Sequence, residues 1–364
     1  MVVLQILVFL VGVALVIMTV IAAIKMVILP RSGQSMLSRG VFRTVRAVFD
    51  LVARESRSYE VRDRTMAMYA PITLVLMAAT WFTLIAIGYT LMFLAVEPWN
   101  LADAYHLSGS SITTLGFAPA DSTLQRTLAF TEAGLGLFTL TLMITYLPSM
   151  YQAFSRREAE VALLEVRAGS PPSAVEFIIR HYRIGWLEDL DATWLEWERW
   201  FNELEESHTS YAALVFFRSP SSARSWVTAA GTILDSASLM AAAVDDRSMQ
   251  GPKGVCIRAG YLALRSIADF FGITYDPDPD PSDPISITRG EFDAALDELA
   301  EAGVPVLADR DQAWRDYSGW RVNYDTVLLA LAEITMAPYA PWTADRSGPR
   351  HNRPRIRRFG AKSR

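Results

Sequence analysis

The chain has 364 residues, 51% hydrophobic and 20% charged, with a mean hydropathy of +0.20. That is more apolar than a soluble chain of this length usually is, and nearly all the excess lies before residue 155, which separates a membrane part from a water-soluble part. A net charge of -5 excludes a polycation built for nucleic acid. The single cysteine, Cys256, excludes an internal disulfide and a cysteine-built zinc site, and is expected to be a buried helical thiol.

Residues 2–24 are apolar apart from Gln5 and Thr19, and Lys25 follows; residues 65–96 and 133–155 contain no charged side chain. Each run can cross a hydrocarbon core, which takes about 20 helical residues. The first run lacks a basic leader and is too long for a signal peptide, so it is expected to be a retained span. Arg31, Arg39, Arg43, Arg46, Arg54, Arg57, Arg62 and Arg64 lie between the first two runs. None lies between Glu97 and Ser122, and Arg156 and Arg157 close the third run. Basic loops stay on the cytoplasmic side. The expectation is a multi-pass protein of the cell (inner) membrane, with its N-terminus and residues 97–123 outside and everything after 155 inside. Within the basic segment 30–64, Val41, Phe42, Val45, Val48, Phe49 and Val52 recur at helical spacing. That face fits a lipid surface, anionic lipid included, or packing on the C-terminal domain.

Between the second and third spans the sequence reads EPWNLADAYHLSGSSITTLGFAPADSTLQ. Asn100 can cap a helix starting at Leu101 and running to Ser111 or Ile112. An extended stretch, Thr113-Thr114-Leu115-Gly116-Phe117, is expected to follow. A short helix and a strand between two spans make a re-entrant element, tolerated at membrane depth only where protein buries it or water reaches it.

TTLGF in this place resembles the selectivity filter of the potassium-channel pore family, whose pattern is TTVGYG or a close variant. The likeness covers residues 65–155: a span, a pore helix, the filter and a glycine-containing span. It implies that Thr113, Thr114, Leu115, Gly116, Phe117 and Ala118 form an ion-conducting filter. The carbonyls of residues 114–117 would replace the ion's water shell, with the Thr114 hydroxyl at the inner end. One pore loop per chain then implies a homotetramer. The only small-molecule partner implied is the permeant ion, potassium or another monovalent cation; no cofactor, metal site or enzyme activity is expected. The chain departs from the family at Ala118, where the second filter glycine stands, and at Pro119, where an aspartate is common. Alanine resists the backbone angles glycine accepts, so the outermost carbonyl ring is expected to be rearranged and potassium preference weak.

The third span carries Glu132, Gly134, Gly136 and Pro148. The glycines allow either close packing behind the filter or a gating bend, and Pro148 a kink at the inner end. Glu132 is expected to snorkel or to pair with a pore-helix group such as Ser108 or Tyr105.

Residues 156–340 read as a helical cytoplasmic domain. Helical stretches are expected at 158–166, after the prolines of SPPSAVEF, and at 186–206, 222–244, 254–271, 289–302 and 309–336. The acidic linker 276–284 would set off a C-terminal helical pair. No alternating strand–helix pattern or glycine-rich loop suggests a nucleotide domain. His208, Tyr211 and Arg218 in HTSYAALVFFRSP stand either as a polar pocket or as packing. The acids Glu188, Asp189, Asp191, Glu196, Glu198, Glu203, Glu205 and Glu206 stand as a divalent-cation site or a solvated face. Residues 341–364, rich in arginine, are expected to be a disordered tail attracted to anionic lipid. The fold class expected is an all-α membrane protein with a pore module, one extra N-terminal span and a helical domain. Its expected function is passive cation conduction through a central tetrameric pore. The other possibilities are a non-conducting sensor or scaffold that keeps the pore architecture, and a membrane enzyme or transporter, for which the spans hold almost no acids or histidines.

Overall fold

A computed structural model describes residues 2–29, 35–53, 58–96, 100–246 and 250–345. Arg31, Arg54, Arg57, Glu97 and the arginines after Asp345 lie outside these. The described residues are helical; they hold no strand beyond one isolated bridge between Val244 and Val306. Three helices, Val2–Val27, Tyr59–Val96 and Thr123–Ala168, are long and apolar enough to cross a membrane, as in a membrane protein. The chain divides into two compact units, one of residues 1–57 and 65–152, the other of 58–64 and 153–364.

The first unit contains α1 (Val2–Val27), α2 (Met36–Val52), α4 (Tyr69–Val96), α5 (Leu101–Ile112) and the first part of α6 (Thr123–Ala168). Helices α1 and α4 cross at Gly12 and Gly88. A Cβ on Gly12 would stand 2.5 Å from the Gly88 carbonyl oxygen, and one on Gly88 2.9 Å from that of Gly12, so only glycine lets the backbones meet. The amphipathic segment forms α2, capped by Ser35, whose side chain accepts from Ser38 N. Its apolar face is divided. Phe42 and Val45 are buried, Phe42 and Phe49 lie edge-on to Tyr69 of α4, and the Tyr69 hydroxyl donates to the Phe42 carbonyl at 3.2 Å. Val48, Leu51 and Val52 remain exposed.

The second unit takes α3 (Tyr59–Ala67) up to residue 64, the end of α6, and α7 (Ala174–Arg183), α8 (Asp191–Ser210), α9 (Trp226–Ala243), α10 (Gln250–Phe271), α11 (Arg289–Glu301), α12 (Arg310–Arg321) and α13 (Asp325–Thr335). A 3-10 turn, Ala212–Phe216, joins α8 to the stretch before α9. Helix α9 is buried over almost its whole circumference, as a central core helix must be. The acidic linker 276–284 separates α11–α13 in sequence but not in packing: Phe292, Leu296, Tyr317 and Leu328 share one core with Trp194, Trp197 and Phe201.

Two sequence expectations change here. The stretch 309–336 is two helices, not one, with a break at residues 322–324, where Arg265 of α10 donates to the Asn323 carbonyl at 2.9 Å; the first of the two ends on Arg321. Its buried guanidinium donates to both Asp235 oxygens at 2.6 and 2.8 Å, to Asp325 at 2.7 Å and to the Trp342 carbonyl at 2.7 Å. The last of those bonds also moves the start of the tail. Trp342 and Thr343 are buried in the core, so residues 341–345 belong to the domain.

Candidate functional site: the loop between α5 and α6

Helix α5 begins at Leu101 because the Asn100 side chain accepts from Asp103 N at 2.9 Å, satisfying an otherwise unpaired first-turn donor. It buries Ala104 and Leu107 in a cluster with Ile85, Tyr89 and Phe93 of α4. At its C-terminal end the chain does not continue as a plain extended strand. Thr114 and Gly116 take left-handed backbone conformations, φ 56° and 71°, and Leu115 between them does not. Alternating hand along the backbone turns successive peptide groups to the same side.

Three amides of this loop converge on one buried residue, Ser110. Its carbonyl accepts from Leu115 N at 3.0 Å and Gly116 N at 3.4 Å, and its hydroxyl from Ala118 N at 3.1 Å. Among the described residues no protein group donates to the carbonyls of residues 114–117. Thr113, Thr114, Leu115, Gly116 and Phe117 are all exposed in the single chain. Three amides tied to Ser110 and four carbonyls that take no donor leave acceptors that a cation can use. Thr114 is β-branched, and its positive φ is a genuine outlier of the kind that clusters at functional sites. Ala118, by contrast, shows no positive φ and sits unstrained with its amide on Ser110.

Behind the loop, α6 supplies the other four residues, Glu132, Gly134, Gly136 and Pro148. Glu132 is fully buried and its Oε1 accepts from Ser108 at 2.5 Å, while Tyr105 is exposed and turned away. Gly136 touches the end of α5: a Cβ there would stand 2.3 Å from the Ile112 carbonyl oxygen. Gly134 has nothing within 4 Å of its would-be Cβ, so the two glycines serve different ends. Helix α6 runs unbroken through Pro148, whose missing N–H leaves the Ile144 carbonyl without its intrahelical donor.

A feature sequence reasoning missed lies on the same helix. Thr141, Thr145 and Ser149, spaced by four, are exposed on the face that carries Gly134, and each hydroxyl donates to the carbonyl four residues back. The spacing was readable as a polar stripe in an otherwise apolar span. Ser110 carried no such signal, because its role depends on the fold-back of the loop.

The other sequence candidates lie elsewhere. Cys256 is buried, and burial pushes its thiol up. Among the described residues no three histidine, cysteine or acidic side chains gather around one point that could hold a metal ion. Of the acidic run, Glu196 pairs with Arg167 at 3.4 Å and Glu205 accepts from Ser266 at 2.8 Å. His208 and Arg218 are drawn into separate hydrogen-bond clusters around residues 211–218. Compared with known protein families, curated proteins and solved structures, the chain matches none.

Proposed function

We propose that this chain is one subunit of a homotetrameric cation pore, in which residues 113–118 of each copy form a ring of carbonyls around a central path. The observation that carries this reading is the sorting of polar groups at the loop: the amides of residues 115, 116 and 118 end on Ser110, while among the described residues no group donates to the carbonyls of residues 114–117, all four of them exposed residues. A single chain gives those carbonyls no enclosure, and a four-fold ring does. Exposed apolar side chains around the loop and along α6, among them Leu115, Phe117, Phe130, Leu137 and Ile144, give further copies something to cover. The Thr141–Thr145–Ser149 stripe supplies a wettable face for the inner part of the path. In this reading the arginine-rich segment faces the cytoplasm, the loop 97–123 faces outward, and the exposed apolar and basic residues of α2 meet anionic lipid.

Potassium preference is expected to be modest, because the position of the outer filter glycine is Ala118, whose amide is committed to Ser110. The same observation favours the second reading, a non-conducting sensor or scaffold with the pore architecture. Planar-bilayer recording of the purified protein in potassium and then sodium separates them: cation current supports the pore, and silence from folded tetramer favours the scaffold.

A further inference from the structure

The stretch 211–218 holds two arms. Arg157, near the end of α6, reaches it with Nη1 to the Leu214 carbonyl at 2.9 Å and Nη2 to the Phe217 carbonyl at 2.7 Å; its Nε and Nη2 also bond Glu158 Oε1. The Phe154 and Phe217 rings pack at a tilt beside that contact, their centroids 5.8 Å apart. Arg218 forms the other arm. Its Nη1 lies 2.5 Å from Asp63 of α3, and its guanidinium also donates to the carbonyls of Thr335 and Met336. The Tyr59 hydroxyl donates to the same Met336 carbonyl. One short segment therefore grips the start of the helix that leads into α4 and the end of α6, the two long apolar helices that bracket the pore loop.

His208 sits at the α6 arm only. Its Nε2 is 3.1 Å from Arg157 Nη1, its Nδ1 is 2.9 Å from the Leu204 carbonyl and 3.1 Å from Ser207 Oγ, and its ring lies 4.8 Å from that of Trp226. A guanidinium has no lone pair to offer, so Nε2 must accept from Arg157 and Nδ1 must carry the hydrogen given to Leu204. The charged group in contact with the ring is Arg157, with Glu158 behind it; Arg156 of α6 and Glu203 and Glu206 of α8 line the small cavity beside Arg157 and Ser207, α8 also adds the Leu204 carbonyl, α9 adds Trp226, and the 3-10 turn adds the Leu214 carbonyl. A second proton on the ring removes the acceptor and sets two buried cations side by side.

We propose that residues 211–218 are a two-armed latch on the ends of α3 and α6, and that protonation of His208 releases the α6 arm while the Arg218–Asp63 arm stays closed. Burial first, and then Arg157, hold the imidazole well below its ordinary range while the latch is shut. In the released state it returns to about 6.5. The released form thus binds the extra proton, and the latch is fully stable above about pH 6.5. Below that it loosens about tenfold per pH unit, until the shut-state value is reached. Any effect on conduction rests on the pore reading; the latch itself does not.

The test is hydrogen exchange by mass spectrometry on the full-length protein in detergent from about pH 7.5 to about pH 5, above the carboxylate range, with rates corrected for intrinsic pH dependence. The expected result is that protection of 153–160 and 211–218 falls about tenfold per pH unit below about 6.5, while 59–64 is unchanged. His208→Gln, which keeps an acceptor and cannot protonate, and His208→Phe should both abolish that dependence. A flat wild type, a neutral variant that follows the wild type, or loosening of 59–64 in step with the others would overturn the proposal. Imidazole 15N spectra of the wild type give a check free of variants, since the chain has only four histidines. His208 should show Nδ1–H at neutral pH and titrate at the pH where the latch loosens, and the other tautomer or a separate midpoint would also overturn it.

Discussion

Ser108 Oγ lies 2.5 Å from Glu132 Oε1 and 2.9 Å from the Ala86 carbonyl oxygen, so one buried hydroxyl joins α4, α5 and α6 behind the loop 113–118. Glu132 Oε2 is buried with no partner, which leaves the carboxyl dependent on Ser108. Ser108→Ala should therefore cost about 1–3 kcal/mol, the penalty of stranding a buried polar group. Glu132→Gln, which keeps the shape and an acceptor, should cost less than about 1 kcal/mol, and Ser108→Ala with Glu132→Leu should recover part of the loss. Thermal unfolding of the purified variants measures all three, and equal losses for Glu132→Gln and Ser108→Ala would contradict the linkage.

The two glycines of α6 should respond oppositely to alanine. At Gly136 the new methyl meets the Ile112 carbonyl and must push the end of α5 aside, at about 1–3 kcal/mol. At Gly134 there is open space, and alanine should be neutral or stabilise the helix by about 0.5–1 kcal/mol. Melting temperatures of the pair decide this, and a Gly134→Ala protein as unstable as Gly136→Ala would show that another copy packs on Gly134.

Thr114 holds a left-handed conformation that a β-branched side chain resists, at about 1–3 kcal/mol. Thr114→Gly should relieve that strain and raise the melting temperature. If the hydroxyl helps dehydrate the ion, the same change should weaken potassium preference. A fall in stability would show that the Thr114 side chain makes contacts worth more than the strain.

In the C-terminal unit, Arg321 is fully buried against Asp235, Asp325 and the Trp342 carbonyl. Asp235→Ala leaves a buried cation short of a partner and should cost about 3–5 kcal/mol. Truncation after residue 340 removes the Trp342 carbonyl and should destabilise the unit, whereas truncation after 345 keeps that contact. Chemical denaturation followed by tryptophan fluorescence tests both, and equal stability of the two truncations would contradict the place given to Trp342.

Much of the fold is written locally. The three apolar runs exceed the length of a span, so the long helices could be read directly. Asn100 followed by an apolar periodicity placed the start of α5 at Leu101, because a cap acts within its own first turn. The rest depends on partners distant in sequence. The break after Arg321 is bonded by Arg265, 58 residues before Asn323, and nothing in the helical pattern of 309–336 reports that. Ser110 looked like one serine among several until the loop folded back on it. The group around His208 was visible as polar residues, but its purpose as an anchor needed Arg157, 51 residues away.

The central claim is that the carbonyls of residues 114–117 conduct cations in a four-fold ring. The most direct measurement is the reversal potential of purified tetramer in a planar bilayer under bi-ionic potassium and sodium, with Gly116→Ala and the pair Ala118→Gly with Pro119→Asp recorded alongside. The account predicts cation current with modest potassium preference in the wild type, a sharper preference in the double variant, and no current from Gly116→Ala. Strong potassium selectivity in the wild type would contradict the role given to Ala118. A current that follows chloride, or silence from folded tetramer in both the wild type and the double variant, would contradict the pore itself.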